Sequence, residues 1–189
     1  MENNIQFPKQ FPELHTNRLS LKAFQLNDAS ELFEIRSNDE FVKYLGIHPM
    51  KNKEEAEKMI ASNISDFKNN CGISWKICLK GADQLIGYVG FWRIIQPHYR
   101  AEIGFGIHPE FANNGLMKEA CNAVLAYAFK QLKIHSVMAN VDKLNVASIK
   151  LLESQGFQKE GLLRESFYFN GDFIDSVYYG LLEKDFKFI

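Results

Sequence analysis

At 189 residues, with 46% hydrophobic and 24% charged side chains, the chain has the make-up of a single globular domain over residues 1–189, long enough to bury roughly 70% of its unfolded surface. A formal net charge of −1 and the lack of any basic run exclude an overall field for nucleic acid or for an anionic membrane. No apolar stretch has the length of a membrane span, and the opening MENNIQFPKQFPELH has no basic segment followed by an apolar run, so a cytoplasmic protein is expected.

Leu19 to Phe24 reads as a first strand after a polar lead-in, and Asp28 to Arg36 as a helix capped near Asn27 or Asp28. Lys53 to Phe67 carries Ala56, Met59, Ile60, Ile64 and Phe67 at helical spacing. The period then shortens to two. Ile73 to Leu79 and Leu85 to Trp92 are β-rich runs joined by the turn-forming KGADQ, and Arg100 to Ile107 is a further strand. Leu116, Ala120, Val124, Tyr127 and Ala128 predict a helix to about Leu132. Ser136 to Val141 reads as a short strand, and Val146 to Gln155 as a helix stopped by Gly156. Gly161 to Phe169 and Phe173 to Leu182 close the chain as a hairpin about Asn170-Gly171. This order predicts a mixed α/β (α+β) fold with a mostly antiparallel sheet, flanking helices and one βαβ crossover.

Cys71, Cys78 and Cys121 are odd in number and lack any Cys-x-x-Cys pairing, which argues against a disulfide framework or structural zinc. Cys121 falls on the apolar pattern of its helix and reads as a core residue. His108 has no partner at metal-ligand spacing and reads as a loop histidine, so no metal is expected.

The stretch EIGFGIHPEFANNGLMKEA, Glu102 to Ala120, carries most of the functional signal. Alternation puts Arg100, Glu102, Gly104 and Gly106 on one strand face and Ala101, Ile103, Phe105 and Ile107 on the core face. Two alternating glycines beside a carboxylate mark a place where a ligand or another backbone comes close. The same pattern also fits a bulge, with Glu102 paired to Arg100 or to a neighbouring strand. The loop then enters a helix at Gly115, where unpaired N–H groups and the helix dipole suit a phosphate or pyrophosphate. There is no Gly-Lys-Ser/Thr and no G-x-G-x-x-G, which counts against ATP and NAD. Asn145 and Ser148 open the next helix, where Asn145 is equally well explained as an N-cap and Ser148 by exposure to solvent.

Taken together, TNRLSLKAF (Thr16 to Phe24), IGYVGF (Ile86 to Phe91), AEIGFGIHPEFANNGLMKEA (Ala101 to Ala120), NVASIKLLESQGFQKEGLLRE (Asn145 to Glu165) and NGDFIDSVYYGLLEKDF (Asn170 to Phe186) resemble the GNAT superfamily of acetyl-CoA-dependent N-acetyltransferases. Within it the chain looks most like the Rim-type branch, which includes ribosomal-protein N-terminal acetyltransferases. The resemblance implies a splayed, twisted sheet with acetyl-CoA in the opening between two strands. It implies that the pantetheine arm extends the strand at Phe105, Gly106 and Ile107, and that the pyrophosphate rests on the N–H groups of Asn113, Asn114, Gly115, Leu116 and Met117. Asn145 and Ser148 would reach the cofactor from the next helix.

Two positions depart from the family pattern. Ala112 stands where the cofactor loop usually begins with Gln or Arg, and Leu152 stands where many members place a tyrosyl acid. The implied reaction is direct attack of a primary amine, from a protein N-terminus or a small molecule, on the thioester. Glu102 would be the base, a backbone N–H near Ile107 would polarise the carbonyl, and Ser148 would play a secondary role. The resemblance also allows a homodimer. A CoA-binding module without catalysis, and an α/β binding protein with no CoA at all, remain as alternatives.

Overall fold

The computed structural model describes residues 5–188. In chain order the elements are β1 (Leu14–His15), β2 (Leu19–Lys22), a 3-10 turn (Leu26–Asp28), α1 (Ala29–Arg36), α2 (Asp39–Val42), α3 (Lys53–Lys68), β3 (Ile73–Leu79), β4 (Gly87–Ile95) and β5 (Arg100–Ile107). After a 3-10 turn (Pro109–Phe111) come α4 (Leu116–Lys130), β6 (Ser136–Asp142), α5 (Val146–Ser154), β7 (Gln158–Phe169) and β8 (Asp172–Leu182). The strands form one sheet in the order β1-β2-β3-β4-β5-β6-β8-β7. Every pairing is antiparallel except β5 with β6, which is the product of the βαβ crossover through α4.

Local chemistry accounts for the elements. On α4 the residues Leu116, Ala120, Val124 and Ala128, with Cys121, Leu125 and Phe129 beside them, make one continuous buried stripe. Asn52 caps α3 by accepting from the Glu55 N–H, with Glu54 and Glu55 in the first turn and Lys68 in the last. Asn170 and Gly171 both have positive φ, 52° and 91°, as the tight turn between β7 and β8 requires.

The sheet is covered on both faces. One core holds the buried sides of α4 and α5 against Leu19, Leu21, Trp75, Val89, Phe91, Ala101 and Ile103. The other holds α1 and α3 around Leu32, Ile35, Ala56 and Ile60. Between this second layer and the sheet lies a buried ion pair, Lys76 Nζ to Asp28 Oδ1 at 2.7 Å. Asp28 also accepts the Gln25 N–H at 2.6 Å, which ties the start of α1 to β3. Cys121 is a core residue as expected, and all three thiols are free.

The boundaries differ from the sequence reading where tertiary contacts intervene. β1 pairs only Leu14 and His15 with Leu21 and Ser20, too short a run to show a period. The helix expected from Asp28 begins at Ala29, because Leu26–Asp28 form a 3-10 turn leading into it, and the Asp28 carboxyl accepts the Gln25 N–H as part of that turn's capping box. The strand expected over Leu85 to Trp92 is displaced to Gly87–Ile95, with a register shift between Phe91 and Arg93. Leu85 itself turns into the second core.

Candidate active site

β5 and β6 pair for only three residues, Arg100, Ala101 and Glu102 against Ser136, Val137 and Met138. Beyond Glu102 the two strands part, although β5 stays in register with β4 to Ile107 and β6 stays with β8 to Asp142. The His108 N–H donates to the Ile86 carbonyl at 2.8 Å, one step past the Gly87–Ile107 pair. By ladder alternation Gly104 and Gly106 therefore turn their peptide groups to β4, while Phe105 and Ile107 turn theirs into the gap. The gap thus has a hydrogen-bonding edge of the kind an extended amide chain can join.

At the mouth of the gap the chain passes Asn113 (φ 62°) and Gly115 (φ 72°), both left-handed, before α4 begins. No side chain among the described residues caps α4, so its leading N–H groups keep the partial positive charge of the helix end. The start of α5 stands alongside, with Asn145 accepting the Ser148 N–H at 3.1 Å. These elements enclose a groove of about 490 Å³. It is lined by Phe105, Gly106, Ile107, Asn113, Gly115, Leu116, Met117, Asn145 and Ser148, which are all the expected cofactor residues except Asn114. Phe41, Tyr44 and Leu45 form the facing wall.

Glu102 lies outside this groove, at the apex where the strands part, and is 6% exposed. Its Oε2 accepts from Arg93 Nη2 at 2.7 Å across the β4 irregularity. Burial pushes the Glu102 carboxyl above the usual range, while the Arg93 and Arg100 charges hold part of that rise back. The carboxylate is three residues up the strand from Phe105, roughly 10 Å at a strand's rise.

One sequence expectation, that the glycines beside Glu102 leave room for a ligand or another backbone, is corrected. The strip beside Glu102 is not bare backbone, because Phe41 packs directly on Gly106 and the Trp92 ring is 3.3 Å from where a Cβ on Gly104 would stand. The glycines admit aromatic rings from α2 and β4, of which Phe41 also lines the groove. A Cβ on Gly115 would point at Arg18 Nη2, 3.5 Å away, with room to spare. The left-handed φ of Gly115 disfavours any side chain there, although the surrounding protein atoms leave room for one. Gly115→Val should distort the loop and raise the acetyl-CoA dissociation constant well over tenfold. Gly115→Asn tolerates that φ and should stay within about threefold of wild type by calorimetry. Unchanged affinity in a folded Gly115→Val variant would remove the phosphate site from this loop.

Leu152 is 1% exposed and belongs to the core, so α5 presents Asn145, Ser148 and Leu151 to the groove and no tyrosyl acid. His108 behaves as a loop histidine, with Nδ1 accepting the Glu110 N–H at 3.3 Å. Sequence reasoning places acceptor contacts in the segments Phe24 to Gly46 and Phe91 to His98 without singling out Phe41 or Arg93, and it does not name Leu151. Only Leu151 had a legible signal, its three-residue spacing from Ser148. A larger concavity of about 790 Å³ lies on the terminal hairpin, but its Lys143 and Asp175 are paired to each other at 2.8 Å, and it contains none of the expected residues.

Residues 18–158 match the family model described as an acetyltransferase (GNAT) domain. The chain belongs to the GNAT acetyltransferases. Among GNAT relatives it is 39% identical over 173 residues to the uncharacterized N-acetyltransferase YoaA of Bacillus subtilis, covering 92% of this chain and 98% of that one. It is 28% identical to the putative ribosomal N-acetyltransferase YdaF of the same organism, covering 89% and 93%. The fold matches a CoA complex of RimL, a ribosomal L7/L12 alpha-N-protein acetyltransferase, with a TM-score of 0.82 at 20% identity, covering 90% and 98%. This GNAT enzyme therefore shares the splayed sheet of the Rim-type branch, and its groove lies where β5 and β6 part.

Proposed function

We propose that this acetyltransferase transfers the acetyl group of acetyl-CoA to a primary amine, on a protein N-terminus or a small molecule, by direct attack. The observation that carries the reading is the parting of β5 and β6 at Glu102, with an N–H-rich loop at the mouth and a buried carboxylate at the apex. The residues fit the cofactor: unpaired peptide groups of Phe105 and Ile107 suit the amides of a pantetheine arm, and the uncapped start of α4 suits a pyrophosphate. Asn113 to Met117 hold the phosphates, Asn145 and Ser148 stand beside the arm, and an N–H near Ile107 polarises the thioester carbonyl.

Glu102 takes the proton from the substrate ammonium. The freed nitrogen lone pair bonds to the acetyl carbon, the C–S bond breaks to release the CoA thiolate, and the extra proton left on the amide nitrogen passes to that thiolate or to water. Leu152 excludes a tyrosyl acid, so the thiolate departs unassisted or with the Ser148 hydroxyl nearby. Ser148→Ala should accordingly lower turnover more than it weakens acetyl-CoA binding. An effect on binding alone would reduce Ser148 to a cofactor contact. The buried Leu152 also favours a second reading, a CoA-binding protein of feeble activity.

Acceptors reach Glu102 past Phe41, Trp92 and Arg93, whose guanidinium lies 5.3 Å from the Trp92 ring centroid. Free thiols at Cys71, Cys78 and Cys121 are consistent with a cytoplasmic enzyme, and no helix among the described residues is long and apolar enough to cross a membrane. Exposed Leu162, Leu163, Tyr168 and Phe173 on the terminal hairpin support a homodimer, which light scattering on the purified protein tests. The test of function is release of free CoA thiol when purified protein meets acetyl-CoA and a panel of peptides, polyamines and aminoglycosides. A CoA-dependent rise in melting temperature without thiol release would support the second reading, and no rise at all would remove both.

A further inference from the structure

Arg18 stands just before β2, 96 residues ahead of Asn114, yet it reaches the loop that opens α4. Its backbone N–H donates to Glu119 Oε1 at 2.8 Å and its Nε to Glu119 Oε2 at 2.7 Å. Its Nη1 donates to the Asn114 carbonyl at 2.9 Å. The fourth donor group, Nη2, forms no hydrogen bond among the described residues and lies 3.5 Å from the Cβ position of Gly115.

Each of these contacts bears on an anion site. The loop from Pro109 to Met117 contains no lysine or arginine and does contain Glu110. The Asn114 carbonyl sits between the two left-handed residues, and a carbonyl turned toward the groove would repel a phosphate. Drawing it to Arg18 fixes it outward and leaves the neighbouring N–H groups directed at the ligand. Glu119 lies in the first turn of α4, where its charge favours the helix but opposes any phosphate placed there. Burial works to raise the Glu119 carboxyl, but bonds from Thr16 and Arg18 outweigh it and hold it below the usual range. The group is therefore an anion at neutral pH, and Arg18 is the cation that cancels it.

We propose that Arg18 is a positioning residue of the cofactor-phosphate site, acting through the Asn114 carbonyl and the Glu119 carboxylate rather than by chemistry of its own. The inference rests on the reading of the groove as the acetyl-CoA site. It explains how a loop with no lysine or arginine before Lys118 of α4, which itself lines the groove, can accept a pyrophosphate, and why two left-handed residues hold their shape at an exposed turn.

Calorimetric titration of CoA and of 3′-dephospho-CoA into wild type, Arg18→Met, Arg18→Lys and Arg18→Met/Glu119→Gln tests it. Arg18→Met should weaken both ligands at least tenfold and to the same extent. Lysine cannot span Asn114 and Glu119 together, so Arg18→Lys should lose at least threefold. Should Arg18→Met fail to fold, Arg18→Lys carries the test. Removing the unmasked carboxylate in the double variant should recover at least threefold, which a general loss of folding could not produce. At saturating acetyl-CoA the turnover number should stay within about twofold of wild type while KM for acetyl-CoA rises. Folded Arg18 variants with unchanged affinity would overturn the inference. So would a loss confined to CoA, which would mean a direct contact with the 3′-phosphate, or a double variant no better than Arg18→Met. A wild-type protein that binds no CoA would overturn the groove reading itself, and this inference with it.

Discussion

Replacing Glu102 by glutamine should lower turnover at least tenfold while acetyl-CoA affinity stays nearly constant. General bases contribute roughly 10²–10⁴-fold, and an ammonium substrate cannot attack until its proton is gone. Glu102 sits outside the groove that would hold the cofactor, so the substitution should leave binding alone. Glutamine keeps the shape, and its amide oxygen can still accept from Arg93, so the apex should not collapse. The pH dependence follows from the direction of the shift. Burial raises the Glu102 pKa, so the base is lost as pH falls through a value above the ordinary 4.5. The wild-type rate should show that acid limb and the variant should lack it, once the amine's own ionisation is fitted separately.

The same shift makes a statement about stability. A carboxyl whose folded pKa is raised stabilises the native state below its unfolded pKa and loses that contribution as pH rises through the folded value. At neutral pH the buried charge is therefore a cost, and half-exposed Arg93 can be solvated without its partner. Glu102→Gln should melt no lower than wild type at pH 7. Wild-type turnover in the variant between about pH 6 and 9 would show that water removes the proton and that Glu102 only orients the acceptor.

The second large effect belongs to Lys76. Lys76→Met should cost about 3–5 kcal/mol, because it leaves the Asp28 carboxylate buried without its counterion. In a chain of this size that is a fall in melting temperature of roughly 6–20 °C. The side chains are 1% and 4% exposed, so solvent cannot take over. Asp83 also comes within 3.5 Å of Lys76, but it is 65% exposed and already paired with Lys22 at 3.0 Å. Lys76→Met/Asp28→Asn should recover most of the loss, since the asparagine can still accept the Gln25 N–H without a charge. Burial tends to lower the Lys76 pKa, but the bond and charge of Asp28 outweigh it and hold the amine above 10.5. The pair's contribution is thus complete below the unfolded lysine value and lost only as pH rises through the folded one, in the alkaline range. Melting curves into that range should show a drop in wild type that Lys76→Met lacks. A shift below about 2 °C for Lys76→Met at pH 7 would mean that water reaches Asp28.

How much of the site could be read in advance depended on how local each feature is. The strand Arg100–Ile107 was legible to the residue, because alternation separated Ala101 and Ile103 from Glu102 and Gly104. The helix entrance at Gly115 was legible because the apolar helical stripe starts directly after it at Leu116, whereas its left-handed φ was not read. The partner of Glu102 was legible only as an alternative, a bulge with Glu102 paired to Arg100 or to a neighbouring strand, and the structure takes that form with Arg93 on β4. Arg93 reaches it only because the register slips between Phe91 and Arg93, and strict alternation across the expected strand gives no sign of such a slip. Phe41 was invisible for a similar reason: α2 is a single turn, too short for periodicity, so its ring's place over Gly106 leaves no pattern.

The amino-acid sequence by itself determined the order of the strands and helices along the chain apart from the short β1 and α2, the core face of β5, the Asn170-Gly171 turn and the loop that opens α4. These follow from side-chain period, helix ends and permitted φ, which act within a few residues. Only the tertiary structure decided that β6 lies between β5 and β8, that β5 and β6 separate after Glu102, and that Arg18 bridges to Asn114 and Glu119. Those outcomes depend on which distant surfaces bury each other best. One chain offers many near-equal pairings of apolar strands, and no local preference distinguishes among them until the whole sheet and both cores are assembled.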